Sequence, residues 1–405
     1  MTAAPSPGAH PLPHRFARSF PSPYRERGQG SGREREQGEW AGSGEGSVAV
    51  LENDFVRVLF DDAGEIVSLV HKIADEDDPD KVTEREVAAV GETLNHLVLY
   101  EDKPLSYDAW DIDIFHEDKP YPVQGVEAIT VIENGPVRAG IQIRRRFGRS
   151  SSLRQRVFLY AHSPRVVFET EVDWQERQML LKALFPVAVR ATRATYEIPF
   201  GAVERPTHRN TSWDRAKFEV CAHKWADLSE GDYGVSLLND GKYGHAAHDN
   251  VLSLTLLKGA VSPDPDADRG THAFTYALLP HTCDWRAETL DEAYALNFPL
   301  LARFVQPSGP GILPTSYAFA TVDDQGIVIE TIKKAEDHED ALVVRLYEAF
   351  NTRGSATLTF GFEIAEAWAV NLVEEDPMPV RHTRDAIPFT YRPFEIKTFL
   401  VRPRR

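Results

Sequence analysis

An alternation of apolar and polar residues with a period of two constrains the fold of this chain more than any other feature. Residues 126–132 lead into the turn Glu133-Asn-Gly-Pro136, after which Val137, Ala139, Ile141 and Ile143 alternate with Arg138, Gly140, Gln142 and Arg144. Successive side chains on a strand point to opposite faces, so this segment reads as a half-buried antiparallel strand. Residues 153–160, the turn at His162-Ser-Pro164 and residues 165–174 repeat the design. Earlier, residues 55–60 and 65–69 flank Asp61-Asp-Ala-Gly64, whose acids and glycine suit a tight hairpin turn.

Further strands are expected at 233–238, 251–257 and 274–279, and the helical pattern in this region is confined to a short piece at 290–296. Gln306-Pro-Ser-Gly-Pro-Gly311 reads as a boundary. Beyond it, apolar runs at 327–332, 341–350, 356–362, 367–373 and 395–401 suggest a second, smaller sandwich. No series of long helices alternates with the strands, which excludes a β/α barrel or a dinucleotide-binding fold. The expected fold class is all-β, with a large sandwich over 47–305 and a small one over 312–405. Residues 1–46 are rich in Pro, Gly, Ser, Arg and Glu without apolar periodicity, so they are expected to be disordered.

Charge and cysteine usage exclude several function classes. Asp plus Glu number 62 and Lys plus Arg 45, a formal charge of −17, which disfavours nucleic acid and anionic membrane as partners. The two cysteines, Cys221 and Cys283, make no disulfide framework, and without a Cys/His cluster no structural zinc is expected. No apolar run approaches the roughly 20 residues of a membrane span, and the N-terminus has no hydrophobic signal region. A cytoplasmic, reducing location is the expectation. Arg144, Arg145, Arg146, Arg149, Arg154 and Arg156 read as a solvated, partly salt-bridged sheet face rather than a binding patch.

One loop-like segment carries chemistry. Tyr100-Glu-Asp-Lys-Pro-Leu-Ser-Tyr-Asp-Ala-Trp-Asp-Ile-Asp113 sets aromatic rings beside carboxylates. An exposed ring stacks on the C–H face of a sugar while carboxylates accept its hydroxyl hydrogens. The same residues also suit rings that plug a core beneath acids facing water.

Several segments in collinear order resemble one family. They include Leu51-Glu-Asn-Asp-Phe-Val-Arg-Val58, the hairpin with Gly64 and Ser68-Leu69, Leu94-Asn95, the 100–113 segment, residues 210–230 from Asn210-Thr-Ser-Trp-Asp-Arg215 onward, Tyr233-Gly-Val-Ser-Leu-Leu-Asn-Asp-Gly-Lys-Tyr-Gly244, residues 263–278 from Pro263-Asp-Pro-Asp-Ala-Asp-Arg-Gly-Thr-His272 onward, and Val344-Arg-Leu-Tyr-Glu348. Together they are similar to the C-terminal β-sandwich region of glycoside hydrolase family 38 α-mannosidases, of the microbial and fungal cytosolic or vacuolar type. The resemblance covers residues 48 to 405 and implies a galactose-mutarotase-like supersandwich followed by the smaller sandwich. It implies retaining hydrolysis of terminal α-linked mannose with zinc or another divalent ion, in a catalytic barrel domain that carries a His-x-Asp motif and an Asp nucleophile. Neither motif is found in this chain. His116-Glu-Asp118 has the spacing but lacks the tryptophan-rich continuation. The expectation is a non-catalytic C-terminal portion, with no cofactor of its own, whose catalytic domain is encoded elsewhere, lost, or omitted by a shifted start. Its implied partners are mannose-containing glycans, that catalytic domain and, by the habit of the family, further copies of itself. A freestanding carbohydrate-binding module and a purely structural sandwich are the alternatives.

In the frame of the resemblance, Tyr107, Asp108, Trp110, Asp111 and Asp113 are the leading candidates, with Trp110 stacking on a sugar and the acids binding hydroxyls or the catalytic domain. Asp240, Lys242 and Tyr243 follow a strand, although Asn239-Asp240-Gly241 is also a good turn. Asp268 and Arg269, with Asp266 and His272 nearby, lie in a Pro-rich loop from which Arg269 would reach a glycan hydroxyl. Trp213, Asp214, Lys224 and Trp225 are placed in a long irregular segment, and His223 reads as a structural histidine. Asp111 and Asp113, at about 6–7 Å along an extended strand, are rejected as an unaided hydrolytic pair.

Overall fold

The alternating segments pair as the period predicts. The computed structural model describes residues 49–404 except 76, 79–80, 307–308 and 310–313, so the expected disordered tail and most of the Gln306–Gly311 boundary lie outside the described residues. Nine strands form the largest sheet, in the order Gly201–Pro206, Arg193–Ile198, Trp225–Ser229, Tyr233–Asn239, Gly270–Thr282, Val166–Trp174, Ser151–Tyr160, Arg138–Phe147 and Val126–Asn134. Its neighbours pair antiparallel throughout. A six-stranded sheet runs Val220–Cys221, Gly244–His248, Val251–Lys258, Met179–Pro186, His96–Glu101 and Pro120–Pro122. A four-stranded sheet, Ala49–Glu52, Val56–Phe60, Ile66–Ala74 and Val82–Glu86, completes this all-β layer structure.

These sheets share one apolar core. Phe168 from the large sheet packs on Phe185 of the six-stranded sheet at 6.0 Å between ring centres and stacks on Tyr276 at 5.0 Å. Val58, Phe60 and Ile66 of the four-stranded sheet belong to the same buried cluster. A second core lies between the sheet Ala320–Val322, Gly354–Phe360, Ala386–Tyr391 and the sheet Ile327–Lys334, Leu342–Glu348, Ile396–Pro403, Ile364–Val370, Met378–Pro379. Rings join the two sandwiches: Trp285 meets Phe350 edge-on at 5.5 Å, and Phe200 meets Tyr347 at 5.7 Å. The short helix Thr289–Asn297 contributes Leu290 and Ala293 to this seam.

The arginine face departs from expectation at one position. Arg146 pairs with Glu127 at 2.6 Å, Arg154 with Glu171, and Arg156 with Glu169 at 3.2 Å, all on the solvated side. Arg145 has the parity of Ile141 and Ile143 and is only 1% exposed. Its guanidinium donates to the Val123 carbonyl at 3.4 Å, and burial pushes its pKa down against the nearby charge of Glu65. Gly64 makes room for it: at φ +67°, any Cβ there would come within 2.9 Å of Ile143 and 3.0 Å of Arg145. Trp225 likewise is no part of an irregular segment but a buried residue on the strand Trp225–Ser229.

A buried ionic cluster fastens the strand Trp225–Ser229 to its neighbours. Asp227 accepts from Ser229 at 2.6 Å, Ser236 at 2.8 Å and His281 Nε2 at 2.8 Å. His281 Nδ1 faces the Thr282 carbonyl at 3.3 Å, so both ring nitrogens point at acceptors, an arrangement that favours the protonated ring. Burial lowers its pKa, but the hydrogen bond and charge of Asp227 outweigh that and leave it raised. His71, beside Tyr233, is pushed down to about 4 by burial and by the charges of His281 and Arg85.

The two histidines give stability opposite pH dependence. The His281 contribution is complete below the unfolded value of 6.5 and is lost as pH rises through the higher folded value. The His71 contribution is present above 6.5 and is lost as pH falls toward about 4. His281→Gln is expected to destabilise the fold by about 3 kcal/mol, because it strands a buried carboxylate, and to remove the stability loss above neutrality. Urea denaturation at several pH values checks this, and a mutant with an unchanged alkaline slope would contradict it.

Candidate functional site

The loop that begins where the strand His96–Glu101 ends is held from below by its own acids. Asp102, almost fully buried, pairs with Lys258, whose ammonium also donates to the Asp111 carbonyl at 2.9 Å. Asp108 accepts from the amides of Val261 at 2.6 Å and Ser262 at 3.1 Å. Asp113 accepts from the Leu105 amide at 2.7 Å and precedes the 3-10 turn Ile114–Asp118. Tyr107 adopts φ +57°, and its carbonyl accepts from Trp110 N at 2.8 Å and Asp111 N at 2.9 Å. These bonds turn the rings outward: Tyr107 is 73% and Trp110 75% exposed, with Leu105 and Phe115 exposed beside them.

Core plugging is therefore excluded for Tyr107 and Trp110. The acids divide by task. Asp108 spends one oxygen on the backbone of Val261 and Ser262 and Asp113 one on the Leu105 amide, while Asp111 faces solvent. Asp111 and Asp113 do not share an extended strand as the spacing suggested, because residues 111–113 lie outside any strand. Asp102 and Lys258 are the residues that sequence reasoning missed. The Asp102–Lys258 pair closes over 156 positions of sequence, which no local pattern reveals.

The other candidates are brought to a neighbouring surface, where most are engaged. Asp240 accepts from the Thr275 amide at 2.9 Å, and its own amide donates to the Thr275 carbonyl at 3.1 Å, so it ties the turn to the next strand. Lys242 lies 4.4 Å over the Phe274 ring, and burial lowers its pKa against the charges of Asp240 and Asp268. Tyr243 stacks on His223 at 5.0 Å. Asp268, at φ +58°, offers its carbonyl to His272 at 2.6 Å. Arg269 is bound to Asp266 at 2.9 Å and Gln175 at 3.0 Å. Trp213 is exposed on a one-turn helix capped reciprocally by Thr211 and Asp214.

Two arrangements resemble catalytic or metal sites and fit neither. Ser236, His281 and Asp227 form a Ser–His–Asp grouping, yet all three are at most 1% exposed, so no substrate reaches the hydroxyl. In His116-Glu-Asp118, His116 is buried with Nδ1 on the Asp113 carbonyl at 2.9 Å, and both oxygens of Glu117 are taken by Arg209 at 2.6 Å. These donors do not fit a metal ion, and no other group of three or more metal-ligating side chains stands together among the described residues.

Comparison with known proteins matches residues 51–266 to the glycosyl hydrolases family 38 C-terminal domain and residues 326–399 to the glycosyl hydrolases family 38 C-terminal beta sandwich domain. The chain belongs to this family 38 group of C-terminal domains. Alpha-mannosidase 2C1 of Homo sapiens is 40% identical over 88% of this chain and 34% of its own length. Alpha-mannosidase G of Dictyostelium discoideum is 37% identical over 86% of this chain and 32% of its own. The chain thus spans about a third of the length of these family 38 relatives. An alpha-mannosidase from Enterococcus faecalis V583 shares the fold, with a TM-score of 0.67 at 20% identity over 87% of this chain and 42% of that one.

The anchoring of the loop is testable. Lys258→Met leaves Asp102 buried without its cation, and it is expected to cost about 3 kcal/mol and to speed amide exchange in residues 102–113 by about tenfold or more. Hydrogen exchange read by mass spectrometry checks this, and unchanged exchange in the loop would refute the anchoring role.

Proposed function

We propose that this chain is the non-catalytic C-terminal portion of an α-mannosidase, with a large sandwich over 47–305 and a small one over 312–405, working with a catalytic domain that supplies the nucleophile. The observation that carries the reading is the loop itself. Leu105, Tyr107, Trp110 and Phe115 are all exposed on a loop held by buried ionic and amide anchors, which supports a surface built to be covered. In this reading the cover is a catalytic domain and a mannose-containing glycan at its mouth, which family 38 membership supports. The Trp110 ring would stack on a sugar face and the free Asp111 carboxylate would accept a hydroxyl hydrogen. Zinc or another divalent ion would belong to the catalytic domain, where the metal-binding motif of the family is expected. A cytoplasmic location fits the free cysteines Cys221 and Cys283, and no described helix is long and apolar enough to cross a membrane.

Hydrolysis of an aryl α-mannoside by the 405-residue protein, with added zinc and with a chelator, tests the reading. No turnover above buffer is expected. Chelator-sensitive turnover would overturn it and place catalytic groups among the acids described here.

A further inference from the structure

A cleft that borders the Trp110 loop at Lys103 and at its anchor Val261 has the build of a second ligand site. It has a volume of about 780 Å³ and lies between the edge strand Pro120–Pro122, the turn after the strand Arg138–Phe147, and the start of the strand Met179–Pro186. Tyr121 stands at its rim, half exposed at 50%, between two prolines that suit the unpaired edge of a sheet. Below it lies Glu176, a carboxylate only 3% exposed.

The bonding of Glu176 is lopsided. Its Oε1 accepts from the Arg149 amide at 2.8 Å, the Ser150 amide at 3.4 Å and the Ser151 hydroxyl at 2.8 Å. Its Oε2 takes no hydrogen bond, and no cation pairs with it, among the described residues. The turn closes tightly over this carboxylate: Gly148 has φ +59°, and a Cβ there would fall 2.3 Å from Oε1. Oε2 is not fully buried, so it is the oxygen of this otherwise buried side chain that is left open to a ligand.

The other charges of the cleft sort into used and unused. Glu101 is held between Lys103 at 2.7 Å and Lys119 at 2.5 Å, and Arg177 is bound to Asp266 at 2.5 Å. The guanidinium of Arg149 has no partner among the described residues. What remains unpaired is one acceptor, one donor fork and one aromatic face, while Lys103 and Lys119 share the single carboxylate of Glu101. That set fits a neutral polyhydroxylated ligand: a carboxylate and a guanidinium divide the hydroxyls while the ring covers a C–H face.

We propose that this cleft is a sugar-binding subsite of the sandwich, in which Tyr121 stacks on a neutral pyranose and Glu176 and Arg149 hydrogen-bond its hydroxyls. The subsite lies wholly within this chain and does not depend on the role of the Trp110 loop or on a catalytic domain.

Calorimetric titration of the full chain with a linear α-linked mannotriose, repeated with Tyr121→Ala, Glu176→Gln and Trp110→Ala, tests this. Weak binding of about millimolar strength is expected for one small sugar site. Tyr121→Ala and Glu176→Gln should each weaken it about fivefold or more, in the unmodified chain and in a Trp110→Ala background alike. Tyr121 is at the surface, so its variant reports even if Glu176→Gln proves unstable. Binding lost with Trp110→Ala but intact in the other two would overturn the subsite and leave the loop reading standing. No heat from the unmodified chain at tens of millimolar sugar would also overturn it.

Discussion

Packing of the nine-stranded sheet against the six-stranded one is the constraint on which the rest of this molecule depends. Phe168, Phe185 and Tyr276 interlock across the gap, and strands from both sheets reach their ends at fixed positions around them. Because interiors are close-packed, those ends are rigid, and every functional feature described here hangs from one of them. The loop with Trp110 leaves the end of His96–Glu101, Lys258 closes Val251–Lys258, and Glu176 sits between Val166–Trp174 and Met179–Pro186.

Polar groups placed inside this framework give it specific geometry rather than bulk stability. Tyr276 donates to Asn95 at 2.6 Å, and Gln155 donates to Tyr276 at 2.7 Å and to Thr170 at 3.0 Å, a seam in the core satisfied within itself. Asp227 with His281, and Asp102 with Lys258, do the same with charge. Buried ion pairs add little net stability against an apolar replacement, but they allow few alternative packings. In the loop this selectivity has a visible product, since one such pair fixes a backbone whose own side chains are aromatic and turned to water.

Much of the architecture was legible in the sequence, and the failures have physical causes. The strands around Ile141 and Leu153 announced themselves because one face is wet and the other dry. The strand Met179–Pro186 did not, because it is buried nearly throughout and its Leu-Leu-Lys-Ala-Leu-Phe run carries no alternation. Arg145 shares the charge of its exposed neighbours but the parity of Ile143, and on this strand the period, not the charge, decides which face it takes. Among the candidates, the exposed state of Trp110 could not be read from composition, since the same aromatic and acidic residues serve a core or a binding loop. Deciding between them needed Lys258 and Val261, which are distant in sequence and adjacent in space.

The central claim is that the outward face of the Trp110 loop exists to be covered by a catalytic domain. Hydroxyl-radical footprinting of Tyr107 and Trp110 tests it most directly, comparing the chain alone with the chain joined to the catalytic region of a family 38 α-mannosidase. The account predicts strong labelling of both rings in the chain alone and protection in the joined protein, with Tyr121 as the internal reference. Equal labelling of Tyr107 and Trp110 in both states would contradict it.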